Sequence, residues 1–209
     1  MISLVPASGG ADRPELLTME YALACDYVNH RLTKSKREWR WKPTIVDYEN
    51  PDPMRKAMRS LGEQLEERFY LVFGDMCEKL DVSQPSPYEV FHAVVDELFS
   101  TGIRWGRIIA LYSFAGQFAL LCCRRGMSRL PCYIVGWTAS YVERHCGQWI
   151  DQHGGWPELI QLNNNLLEFK TKEKTFADST VDNLRYFGRA ICGIMWTLTI
   201  GQWLSEFEI

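Results

Sequence analysis

The chain has 209 residues, of which 46% are apolar and 13% aromatic, with a formal net charge of −3 at pH 7. That length and apolar content suit one domain with a substantial core and exclude a largely disordered chain. The slight acidity, without a long basic face, gives no reason to expect a nucleic-acid partner. Seven cysteines, at 25, 77, 122, 123, 132, 146 and 192, form no C-x-x-C pair and sit mostly in apolar runs, as buried free thiols do. Met1 to Pro14 lacks the basic flank and apolar run of a secretory signal, so a reducing, cytosolic compartment is expected.

In chain order, residues 1–14 read as a flexible N-terminus, and the first helix is predicted from Glu15 to Thr33. Leu17, Tyr21, Ala24, Val28 and Leu32 fall on one of its faces. Lys34 to Asn50 has no period and contains Pro43; it reads as a connection from which Trp39 or Trp41 tucks onto the core. Asp52 and Pro53 supply a cap and a first helical residue, and Met54, Met58, Leu61, Leu65, Phe69 and Val72 mark a stripe predicted to run to about Leu80. Ser86-Pro87-x-Glu89 is a capping box with proline inside it, ahead of a helix holding Val90, Phe91, Val94, Val95, Leu98 and Phe99.

The stretch Glu97 to Gly116 closes that helix, turns at Gly102, and passes a polar gate, Arg104-Trp105-Gly106-Arg107, into a helix with no charge from Ile108 to Cys123. Such a helix is expected to be buried on all sides. A basic turn, Arg124 to Arg129, leads to Pro131 and a second apolar helix, making a central hairpin. Gly147 reads as a break, Gly154-Gly155 as the next, and Pro157 as the opening of a short helix to about Leu167. Residues 168–180 read as a linker and 181–209 as a C-terminal helix. No strand-like alternation appears, so the fold class is all-α: a bundle of two central apolar helices surrounded by amphipathic ones.

Catalytic motifs are absent, and no enzyme, metal or cofactor is expected. The four histidines lie outside H-E-x-x-H, G-x-S-x-G and P-loop contexts, and His145, Cys146 and His153 have no usual zinc spacing. Glu66 and Glu67 are adjacent on a helix, point in different directions, and read as a solvated face.

Glu97-Leu98-Phe99 to Arg107 resembles the first homology region of the Bcl-2 family of apoptosis regulators, whose hallmark is Trp-Gly-Arg within an E-L-F…G-x-x-W-G-R frame. Trp149-Ile150 to Gly155-Trp156 resembles the second region, Met58 to Leu65 the third, and Ala24 to Leu32 the more variable fourth. Gly62-Glu63 stands where the third region usually has Gly-Asp, and Arg104 where the first usually has Asn.

The resemblance implies a bundle over residues 15–167 with a surface groove for amphipathic partner helices of the third-region (BH3) type. The implied lining is Leu65, Phe69, Val72, Phe73, Met76, Val94, Leu98, Ile109, Ala110 and Phe114, with Gly106 admitting the ligand backbone and Arg104 at the mouth. Arg107 would pair with the ligand's aspartate as a bidentate guanidinium. Met58, Leu61, Gly62, Glu63 and Leu65 form a BH3-like segment of the chain's own. Taken singly, Arg107 also suits an intramolecular helix-end pair, and the apolar residues an ordinary core. The implied role is a pro-survival regulator that sequesters pro-apoptotic relatives at the cytoplasm and the outer mitochondrial or endoplasmic reticulum membrane. The alternative is an effector of the Bak and Bax type that oligomerises and permeabilises the mitochondrial outer membrane. Ala190 to Leu204, roughly 22 Å as a helix, is short against a hydrocarbon core of about 30 Å. Membrane anchor, groove-bound tail and last core helix all stay open for it.

Overall fold

A computed structural model of the chain describes residues 18–68 and 86–173. The predicted start at Glu15, the second half of the Met54 stripe with Phe69, Val72, Phe73 and Met76, residues 174–180 of the predicted linker and the 181–209 segment lie outside the described residues. Among those described, the regular structure is helical throughout.

α1 (Met19–Lys34) starts where the Thr18 side chain accepts the Tyr21 amide at 3.4 Å. Its amphipathic pattern predicts one buried stripe, but every residue from Ala22 to Val28 is buried. α1 is packed against three other helices at once. Trp39, from the loop that follows, is 5% exposed and belongs to the core, whereas Trp41 is 47% exposed. α2 (Pro53–Arg68) opens with the Arg55 amide donating to Asp52 at 3.0 Å. α3 (Pro87–Phe99) has the reciprocal cap that Ser86 and Glu89 predict: the Ser86 amide donates to Glu89 at 2.8 Å and the Glu89 amide to Ser86 at 3.4 Å.

α4 (Trp105–Arg124) is the axis of the bundle, buried from Gly106 to Cys122. α1, α2, α3 and α5 all pack on it. Tyr112, Phe118, Ile108 and Leu111 are fully enclosed, each contributing about 1.5–3 kcal/mol by burial. Its charge-free sequence and its position have the same cause: only a helix that needs no water on any side fits the centre.

α5 (Leu130–Tyr141) returns along α1 and α4, with Ile134, Val135, Thr138 and Ala139 buried and Tyr133 at the surface. The break predicted at Gly147 does not occur. The chain stays helical through a π-turn (Val142–Cys146) directly into α6 (Gly147–Gln152), and Gly147 itself is right-handed helical at φ −54°. A π-turn absorbs one extra residue without ending the helix. The real stop is Gly154-Gly155, both at positive φ (90° and 65°), where the Gly155 amide closes on the Ile150 carbonyl at 2.9 Å. α7 (Glu158–Glu173) runs six residues past the predicted end at Leu167, so 168–173 is helix and not linker.

Candidate functional site

The head of α4 gathers the first-region and second-region motifs. Gly102 takes φ 103°, a left-handed conformation that reverses the chain after α3. Arg104 is extended and exposed at the N-cap position, so α4 begins at Trp105. Trp105 meets Trp149 and Trp156 edge-on at 5.7 and 5.9 Å, and the Trp156 indole donates to Glu20 on α1 at 3.1 Å. The two motifs thus build one aromatic joint between α4, α6 and the start of α7.

Arg107 is 4% exposed. Its guanidinium donates to the Gly102 carbonyl and to the Thr101 hydroxyl, across the turn from which α4 starts. The predicted lining that is described comes from three helices: Leu65 from α2, Val94 and Leu98 from α3, and Ile109, Ala110 and Phe114 from α4. These six are buried in the core cluster, at 3–7% exposure, and Phe114 stacks between Phe91 and Phe118 at 5.5 and 5.4 Å. Gly106 is buried beside them. α2 and α3 each lie against α4 and share no comparable packing with one another.

The BH3-like segment is held by α1. Met58, Leu61 and Leu65 are buried, and Gly62 faces Tyr27 so closely that a Cβ there would lie 2.3–2.5 Å from three of its ring and hydroxyl atoms. On the polar side, Asp26 is 1% exposed and takes Arg59 through both oxygens, at 2.7 and 2.6 Å, with Arg55 at 3.7 Å. Glu63 meets His30 at 2.9 Å and Lys34 at 2.5 Å. Burial acts upward on the Glu63 carboxyl, but the Lys34 and His30 bonds outweigh it and hold it below the usual carboxylate range.

Glu66 does not lie on a solvated face, as its sequence context predicts. It is 7% exposed, accepting the Tyr27 hydroxyl at 2.7 Å and the Gln117 amide at 3.0 Å, with Arg31 at 2.9 Å. Burial pushes its carboxyl up despite those partners, and pushes the Tyr27 phenol well above its ordinary value. Glu67, one residue on, is exposed. Asp26, Tyr27 and Arg31, together with His30 and Lys34, are therefore α1 residues that grip α2. The sequence signal for them was an acid inside the otherwise apolar run Tyr21 to Val28, where a charge needs a partner from another element.

His145 and His153 are exposed and lie against Tyr141 and Trp149, at 4.5 and 4.0 Å between ring centres. Cys146 is buried, and burial raises its thiol to about 12. Among the described residues no group of histidine, cysteine and acidic side chains could hold a metal.

Residues 58–156 match the family model for apoptosis regulator proteins of the Bcl-2 family. The chain belongs to the Bcl-2 family. Among curated relatives, Bcl-2-like protein 1 of Gallus gallus is 34% identical over 125 residues, covering 59% of this chain and 55% of the relative. Bcl-2-like protein 1 of Homo sapiens is 30% identical over 146 residues, covering 69% and 63%. Apoptosis regulator Bcl-2 of Gallus gallus is 34% identical over 115 residues, covering 55% and 49%. The chain thus spans less than two thirds of the length of these relatives. The family match begins at Met58, inside the segment clasped by α1, and ends at Trp156, in the aromatic joint. The all-α bundle around one apolar helix is that of a Bcl-2-like protein.

Proposed function

We propose that this Bcl-2 family chain is a regulator of apoptosis that takes BH3-type helices of pro-apoptotic relatives between α2 and α3, over α4, and so restrains cell death. Its places of action on this reading are the cytoplasm and the outer mitochondrial membrane. The observation that carries the reading is the double anchoring of α2. Its apolar residues are in the core, and Arg59, Glu63 and Glu66 are tied to α1. An effector has to release this segment to join copies of itself, against a bidentate Asp26–Arg59 pair and a buried Glu66. A receptor leaves it in place as a wall.

Arg107 supplies the polar anchor. The Gly102 carbonyl and the Thr101 hydroxyl are neutral acceptors, and an incoming aspartate would offer its guanidinium a charge-assisted bidentate bond. The apolar anchors of the partner helix, spaced i, i+3 or i+4, and i+7, would meet Leu65, Val94, Leu98 and Phe114 as α3 moves outward while α2 stays in place. Phe69, Val72, Phe73 and Met76 belong to the same proposed lining.

Titration of a labelled BH3-type peptide into the full chain tests the reading. Arg107→Ala is expected to weaken binding about 10- to 100-fold, the loss of one charge-assisted pair, and the protein is expected to release no dye from liposomes. Unchanged affinity in Arg107→Ala would remove the anchor. Dye release that depends on Gly62 and Leu65 would replace the pro-survival reading with the effector one.

A further inference from the structure

The end of the bundle remote from Arg107 carries a surface of another kind. α1 and α4 run in the same direction: Tyr112 bonds the Glu20 carbonyl, Ser113 the Tyr27 hydroxyl, and Gly116 faces Arg31. The C-termini of α1 and α4 and the start of α5 therefore lie together. The loop after α1 brings Lys36, Arg37, Arg40 and Lys42 to this end, and the turn between α4 and α5 brings Arg124, Arg125 and Arg129, all exposed. Glu38 is the one acid in residues 36–42 and 124–129. Among the described residues none of these cations enters an ion pair, in a chain whose net charge is −3.

Loop and turn are fastened to each other. The Arg129 guanidinium lies over the Trp41 ring at 5.1 Å, that of Arg40 at 5.7 Å, and the Cys132 thiol donates to the Trp41 carbonyl at 2.9 Å. Large apolar side chains stand exposed within or next to this basic patch: Trp41 at 47%, Ile45 at 56% and Tyr133 at 57%. Solvated lysines and arginines need no such neighbours. An indole flanked by guanidinium groups suits the headgroup level of a bilayer, where the ring meets the acyl boundary and the cations meet lipid phosphates. Ile45 suits the same partner, since an aliphatic side chain gains burial at the acyl boundary that a phosphate backbone does not offer.

We infer that this end, built on Trp41 and the Arg124–Arg129 turn, is a peripheral docking surface for an anionic lipid bilayer. It uses none of residues 181–209 and does not rest on the proposed helix binding. Arg107 and Arg125 are separated by 18 steps of helix, about 27 Å, so a chain docked by this end holds its Arg107 site away from the lipid.

The test is flotation of the full chain with vesicles of phosphatidylcholine alone or with about 30% phosphatidylserine. Binding to the anionic vesicles is expected to exceed that to neutral ones at least tenfold and to fall steeply at high salt. At about fivefold per cation, the combined Arg124→Gln, Arg125→Gln and Arg129→Gln variant should lose roughly 100-fold, and Trp41→Ala several-fold. Both variants should stay folded, melting within a few degrees of the wild type, and keep its peptide affinity. Equal binding of wild type and variants to both vesicle types would overturn the proposal and assign any attachment to another part of the chain. Failure of the folded wild type to bind anionic vesicles would overturn it too, as would tighter binding to an oligonucleotide or acidic peptide than to the vesicles.

Discussion

Asp26→Ala is expected to lower the unfolding free energy by about 3 kcal/mol, the lower end of the cost of breaking a buried pair by removing one partner. Asp26 is 1% exposed and receives Arg59 through both oxygens, while Arg55 sits 3.7 Å away. Arg55 keeps Asp52 at 2.7 Å and the Asp47 carbonyl at 2.5 Å, and so stays satisfied. Arg59 keeps the Tyr48 carbonyl at 3.3 Å and reaches water in part, which holds the loss below the top of the range. In a domain of this size the melting temperature should fall by about 6–12 °C. Asp26→Asn retains the shape and loses the charge, and should fall between. Urea denaturation reads the result, and a loss under about 1 kcal/mol for Asp26→Ala would mean that the pair is no stronger than a surface salt bridge.

Gly62→Ala should destabilise by about 2 kcal/mol, against the direction of helix propensity. In an open helix the change gains up to about 1 kcal/mol. Here the new Cβ would stand 2.3 Å from the Tyr27 hydroxyl oxygen and 2.4–2.5 Å from two ring carbons. Tyr27 cannot swing away: it is 1% exposed, its hydroxyl donates to Glu66 at 2.7 Å and accepts from Ser113 at 3.4 Å. Overpacking of a pinned ring costs about 1–3 kcal/mol, and forcing it aside also weakens the Glu66 network. Two further variants separate this from a general intolerance of α2. Gly136→Ala, where nothing lies within 4 Å, should be neutral or stabilising. Tyr27→Leu should make Gly62→Ala cheaper than in the wild type, a coupling above about 0.5 kcal/mol in a double-mutant cycle. Additive effects would place the cost of Gly62→Ala elsewhere.

Both results bear on the BH3-like segment. Glycine at position 62 lets α1 and α2 approach until a tyrosine ring fills the gap, and Asp26 fixes the register of that approach. The residues that resemble the fourth region grip those that resemble the third. A variant that loosens α2 by either route should also lose peptide affinity if α2 is a wall of the helix-binding site.

The elements that carry their own local instructions were legible in the sequence. Ser86, Pro87 and Glu89 determine where α3 starts because a capping box is satisfied within four residues. The run from Ile108 to Cys123 determined that α4 is central, since a helix without a charge has nowhere else to be. The Trp-Gly-Arg frame and the Trp-Ile…Gly-Gly-Trp motif carried the family. Tertiary structure decided the rest. Gly147 looked like a stop, yet a glycine is free to stay helical, and the π-turn before it carried the helix onward. Glu66 looked solvated because its partners Tyr27, Arg31 and Gln117 come from α1 and α4, far along the chain, and periodicity within α2 carries no trace of them. Arg107 was legible as a cation at a helix border, but the fold gave it Thr101 and Gly102 as acceptors, because the turn between α3 and α4 folds back over its guanidinium. Local chemistry fixes where helices begin and how apolar they are. Which face meets which neighbour is a property of the assembled bundle, and the partners of its buried charges are settled there.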